Sequence, residues 1–215
     1  MKRFKNILFV ADGDSEVAGA LQRAVALADA NGARLTVMDV LDPVDTPKAV
    51  LERLGVDLAA ILRDRRAETL ETLVRPLAAD DNLIYTKVVF GTPFVEVVRA
   101  VRQGGFDLVV KAARSPAGIS ERLFGSTDMH LLRKCPCPVW IDPVVGPPHY
   151  RTVLAAVDPS APGGDGCDEL VMQLACSLAD RESARLVVVH AWQLDGESML
   201  RQGRFRLPEA DLDSL

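Results

Sequence analysis

The chain has 215 residues, enough for one large domain or for one domain and part of a second, with 48% hydrophobic and 26% charged residues. A net charge of −5, with no Lys/Arg cluster interleaved with aromatics, removes the usual footprint of nucleic-acid binding. No stretch approaches the roughly 18 apolar residues of a membrane span.

The opening "MKRFKNILFVADGD" carries basic residues, but its apolar run from Ile7 to Ala11 falls short of the roughly 7–15 of a signal-peptide core. The expected location is therefore cytoplasmic. "NILFVAD" reads as a buried parallel strand ending on Asp12. In "SEVAGALQRAVALADANG", Val17, Ala20, Leu21, Ala24, Val25 and Ala28 recur at helical spacing, with Ser15 to cap the start and Gly32 to stop the end. "ARLTVMDVLD" is a second strand. Residues 46 to 79 form a long helical stretch with Gly55 and Pro76 as breaks. Its leucines at 51, 54, 58 and 62 fit core packing, or else a lid over an apolar cleft.

"LIYTKVVFG" is strand three, and "PFVEVVRAVRQGG" is a helix with proline in its first turn. "DLVVKAA" is strand four, "STDMHLLRKC" a helix, and "PVWID" a last short strand. Strands alternating with helices at this spacing predict an α/β fold: an open five-stranded parallel sheet with helices on both faces.

The pattern then restarts. "KNILFVAD" at 5–12 is echoed by "RTVLAAVD" at 151–158, and "ARLTVMDV" at 33–40 by "ARLVVVHA" at 184–191, offsets of 146 and 151. The Pro/Gly-rich "PSAPGGDG" after Asp158 accounts for the extra residues. The predicted organisation is a complete domain over 1–145, a linker at 146–150, and an incomplete second copy over 151–215 comprising strand, helix, strand and a polar tail. A fragment of a longer protein is the expected reason for the half-copy.

The chain resembles the universal stress protein family, within the adenine nucleotide α-hydrolase-like folds. The likeness rests on "FVADGDSEVAGALQRAVALA", "GTPFVEVVRAV" and above all "GSTDMHLLRKCPCPVWI". With the duplication, "TDMHLLRKCPCPVW" is most similar to the tandem, E-type bacterial members. Nucleotide-binding members carry a glycine-rich loop between strand four and the last helix, in the order Gly, two residues, Gly, nine residues, Gly, then Ser or Thr. Glycines there let backbone amides approach phosphate oxygens.

Aligned from Gly125 and Ser126, that pattern asks for glycine where this chain has Ser115 and Ala112. The loop is thus degenerate, and Pro116 removes a donor. Lys111 stands at its mouth, either to attract a phosphate or to fill the pocket. By position, the resemblance implies that Asp12 faces adenine or ribose, Val40 offers its backbone to the base, and Gly125, Ser126 and Thr127 hold phosphate. ATP is the ligand so implied, although nothing in the sequence requires a cofactor. Asp12 is equally readable as a loop or cap residue, and Gly125 and Ser126 as the turn and cap of the last helix. In the second copy, Asp158 matches Asp12, and His190 stands where many members have histidine.

The expected function is a non-enzymatic stress-response protein whose first domain acts as scaffold or interaction domain. The alternatives are an ATP-binding or slow ATPase member, and a binder of an apolar ligand at the strand ends. No GxxxxGK[ST] occurs, and Glu121 and Asp128 read as helix-dipole partners rather than catalytic acids. The four cysteines read as reduced bystanders: "CPC" at Cys135 and Cys137, even with His130 and His149 near, lacks zinc-ligand spacing. A short last strand at the sheet edge predicts a homodimer through Val139–Ile141, with neither nucleic acid nor membrane as partner.

Overall fold

The computed structural model describes residues 3–11, 17–44, 57–78, 84–113, 126–143, 149–159 and 166–191. By its internal contacts the chain divides into two units, Met1–Gly146 and Pro147–Leu215. In the first unit the elements follow the chain as β1 (Asn6–Ala11), α1 (Ala18–Asn31), β2 (Arg34–Leu41), α2 (Leu58–Val74), β3 (Ile84–Phe90), α3 (Pro93–Gly104), β4 (Leu108–Ala112), α4 (Ser126–Lys134) and β5 (Val139–Asp142). All strand pairs are parallel, and the sheet order is β3-β2-β1-β4-β5.

The aliphatic strands predicted to be buried on both faces are so. Ile7, Phe9 and Ala11 of β1 and Leu108, Val110 and Ala112 of β4 point into a core under α1 and α2. Leu8, Val10 and Val109 point the other way, into a core closed by Val97, Ala100 and Val101 of α3 and Leu131 of α4. Period-two alternation with both faces apolar is what leaves the strand sequence without polar breaks.

Local chemistry sets the helix ends. Gly32 takes φ 60°, ψ 43°, and its N–H reaches back to Ala28 and Asp29 carbonyls, the left-handed stop that glycine permits without a Cβ clash. Ser15, the expected cap, lies outside the described residues. Pro93 opens α3 in its first turn, where a missing N–H costs no helical bond.

The 46–79 stretch is helical over its second part. Asp57 caps α2, its Oδ1 accepting from the amides of Ala59 (3.0 Å) and Ala60 (3.2 Å). Pro76 falls in a 3-10 turn, Arg75–Leu77, that ends the helix. Gly55, Leu51 and Leu54 lie outside the described residues. Core packing does not describe Leu58 and Leu62, which are 37% and 40% exposed; Leu70 and Val74 are the buried residues of α2. The reason is placement. The first turns of α2 stand at the strand ends, where Arg63 lies over the ring of Phe90, the last residue of β3, and only the later turns have sheet beneath them.

The second unit contains β6 (Thr152–Ala156), α5 (Cys167–Glu182) and β7 (Arg185–Val189), with β6 and β7 parallel. Several details of the first unit recur. Asn6 pairs with Arg34 and Thr152 with Arg185, so both offsets read from the sequence hold in register. Ser183 takes the left-handed conformation at φ 52°, ψ 40°, and its N–H reaches Ala179 and Asp180 carbonyls as Gly32 does in the first unit. Asn31 Oδ1 accepts the amides of Arg3 (2.9 Å) and Phe4 (3.2 Å), while Glu182 Oε2 receives those of Tyr150 (3.4 Å) and the His149 ring (3.3 Å).

Among the described residues no helix is long and apolar enough to cross a membrane.

Candidate functional site

In an open parallel sheet, ligands sit beyond the carboxyl ends of the strands where the strand order reverses. Here that point lies between β1 and β4. Asp12 and Gly125 fall outside the described residues. Ser126 begins α4, and Thr127 follows half-buried in its first turn. Val40 is half-buried in β2 beside Val89, and its N–H donates to Oδ1 of the preceding Asp39 at 2.8 Å. Val40 and Thr127 belong to different elements, β2 and α4.

Lys111 is where the sequence left two options. It is the fourth residue of β4, paired with Val10 and Ile141, and is 1% exposed. Strand alternation turns it to the α4 side, the same side as Val109. Its Nζ lies 3.0 Å from Oδ1 of Asp128, which is equally buried, and 3.1 Å from the carbonyl of Ala112. The neighbour Ala112 sits in regular pairing with Asp142, its side chain in the α1–α2 core. No left-handed backbone occurs at Ala112, so alanine is unstrained where the family loop carries glycine.

Two more buried carboxylates line the same rim. Asp39, near the end of β2, pairs with Arg66 of α2. Asp142, the last residue of β5, receives Arg23 of α1 through Nε at 3.0 and 2.8 Å, and Arg23 also donates to Pro143 O at 3.2 Å. Each carboxylate therefore meets a cation supplied by a different element. A buried charge left alone would cost several kcal/mol, and these pairs hold helices to strand ends.

Sequence reasoning flagged Lys111 and Asp128 separately and missed their meeting. It missed the Asp39–Arg66 and Asp142–Arg23 pairs altogether. The available signal was a charged residue inside an aliphatic strand run, as in "LVVKA" and "VMDV". Such a residue, buried on both faces, must find a partner.

Among the described residues no group of three or more His, Cys, Asp or Glu side chains is arranged to hold a metal. His130 stacks on Phe94 with ring centroids 4.6 Å apart, and His149 belongs to the second unit beside Glu182. Cys135 and Cys137 do meet, with Sγ atoms 3.7 Å apart. In the second unit His190 Nδ1 lies 3.0 Å from the Val157 carbonyl and 3.9 Å from Asp158 Oδ1. The aspartate and histidine singled out in the sequence thus stand together at the ends of β6 and β7.

Comparison with known proteins adds the following. A family model described as the universal stress protein family matches residues 3–143. Universal stress protein E of Escherichia coli (strain K12) is 32% identical over 145 residues, 66% of this chain and 46% of that protein. Universal stress protein E of Photorhabdus laumondii is 27% identical over 163 residues, 74% of this chain and 51% of that protein. The chain spans about half the length of these relatives. A solved structure of a functionally unknown protein from Pseudomonas aeruginosa PAO1 matches with a TM-score of 0.64 at 22% identity, over 95% of this chain and 67% of that one, a likeness of fold.

Proposed function

The chain belongs to the universal stress protein family, and from that premise we propose that it is a non-enzymatic stress-response protein of the tandem type, its first unit acting as scaffold or interaction domain. The observation that carries this reading is the buried Lys111–Asp128 pair at the mouth of the degenerate loop. A cation at this place could attract a phosphate. Here it is neutralised by a carboxylate of the same chain. Drawing Lys111 toward a phosphate would break its buried pair with Asp128, a loss of about 3–5 kcal/mol. That corresponds to roughly two to four orders of magnitude in affinity.

The tandem reading is supported by the shared register, helix stop and amide-binding side chain of the two units. The homodimer reading is supported by β5, which lies at the edge of the sheet with Val139, Trp140 and Ile141 half-buried. Light scattering that finds only monomer at micromolar concentration counts against it.

The second reading, nucleotide binding in the first unit, is favoured by Thr127 in the first turn of α4, where helix amides face an anion. Calorimetric titration of the 215-residue chain with ATP and Mg²⁺ separates the two. The scaffold reading expects no heat of binding up to millimolar ATP. Micromolar binding that Ser126→Ala abolishes would make the nucleotide reading primary.

A further inference from the structure

The link between α4 and β5 is Cys135-Pro136-Cys137-Pro138. Both of its ends are pinned. The Cys135 N–H donates to the Leu131 carbonyl at 2.9 Å, the last turn of the helix, and the Pro138 carbonyl accepts from Val109 at 3.0 Å, the start of the β4–β5 ladder. Between these anchors the chain bends at Pro136 and Cys137. The bend brings the two sulfurs to 3.7 Å, close to van der Waals contact, while each thiol stays half-buried against the core under α3 and α4. A disulfide needs the sulfurs at about 2.05 Å, so the two must approach by roughly 1.7 Å to bond.

We propose that Cys135 and Cys137 form a reversible redox-modification site, at which a hydroperoxide converts the dithiol to an intramolecular disulfide. The Cys135 thiolate attacks the outer peroxide oxygen. An S–O bond forms, the O–O bond breaks, and the leaving alkoxide takes a proton to depart as alcohol, or as water from hydrogen peroxide. The Cys137 sulfur, giving up its proton, then attacks the Cys135 sulfur. The S–S bond forms and the hydroxyl leaves with that proton as water. Two thiols supply two electrons to one peroxide, and a cellular thiol reverses the step by exchange.

The roles of the two sulfurs follow from their surroundings. The Cys137 thiol, directed at Cys135, lowers the Cys135 pKa to about 7 against an opposing effect of burial, with help from the Cys137 backbone. The same contact, burial and the negative charge of Asp107 push Cys137 upward. The Asp107 carboxylate is itself held by the amides of Lys5 at 2.6 Å and Asn6 at 3.2 Å. Lys134, the neighbour at the end of α4, lies over the Phe94 ring. Cys135 is thus the nucleophile and Cys137 the resolving thiol.

The test uses the whole reduced chain and hydrogen peroxide. Trypsin cuts after Lys134 and next after Arg151, so one peptide holds both thiols. That peptide is expected to become lighter by two hydrogens on oxidation and to regain them with dithiothreitol. Cys167 and Cys176, exposed on α5, are internal controls. In Cys137→Ala, dimedone should trap a sulfenic acid at Cys135, which no neighbouring thiol then resolves. The proposal is overturned if Cys167 and Cys176 oxidise while the 135–151 peptide keeps its full mass. A folded Cys137→Ala chain that yields no dimedone adduct at Cys135 also overturns it. The peptide mass needs no variant, so a variant that fails to fold leaves the test intact.

Discussion

Leu8 and Leu154 occupy the same place in the two units, two residues past Asn6 and past Thr152, yet the first is 0% exposed and the second 62%. Around them the local structure agrees: strand pairing, helix stop and side-chain-held amides are alike. The contrast lies in cover. In the first unit the face that carries Leu8 is closed by α3 and α4, whereas in the second unit α5 covers only the opposite face, that of Val153 and Ala155. A β–α–β segment is specified by its own residues. Burial of its second face is supplied by elements further along the chain.

Three substitutions press on that contrast. The largest effect is expected at the rim: Asp128→Ala removes the carboxylate of the buried Lys111–Asp128 pair and should cost about 3–5 kcal/mol, whereas Lys111→Met combined with Asp128→Leu should be near neutral. Urea titration followed by tryptophan fluorescence reads both. If Asp128→Ala costs under about 1 kcal/mol, the pair contributes no more than an exposed one and the closed rim is wrong.

Next comes the repeat position itself. Leu8→Ala should cost about 2–5 kcal/mol, and Leu154→Ala less than about 0.5. Equal costs by denaturant titration would mean that the Leu154 face is covered in solution. The smallest effect concerns the helix stops. Ser183 pays for a left-handed backbone that Gly32 adopts freely, so Ser183→Gly should stabilise the second unit by about 1 kcal/mol. Amide exchange in α5 would slow accordingly, and unchanged exchange would speak against strain at that residue.

Much of this was legible beforehand, for identifiable reasons. Strand runs such as "NILFVA" are apolar on both faces, and Gly32 and Pro93 mark helix ends through backbone constraints that act locally. The two repeat offsets appear again as strand register. The first turns of α2 misled because a leucine spacing looks the same whether or not sheet lies beneath it, and at Leu58 and Leu62 none does. The ion pairs were illegible because they join residues far apart in sequence: 27 positions for Asp39 and Arg66, and 119 for Arg23 and Asp142. The Cys135–Cys137 contact escaped for another reason. Residues i and i+2 of an extended chain share a face but stand roughly 6–7 Å apart, and only the bend at Pro136 brings them together. Of the candidate nucleotide residues, Val40, Ser126 and Thr127 fall on the elements expected of them.

The central position of β1 has a consequence for synthesis. β1 finds β2 early, since Asn6 pairs with Arg34, but its other edge pairs with β4, and Asp107 binds the Asn6 amide across 101 positions. At ribosomal speed, about 5–20 residues per second, that edge waits roughly 5–20 s for its neighbour. Through that interval an aliphatic strand with an open edge is held on the nascent chain, the kind of surface that holdase chaperones recognise.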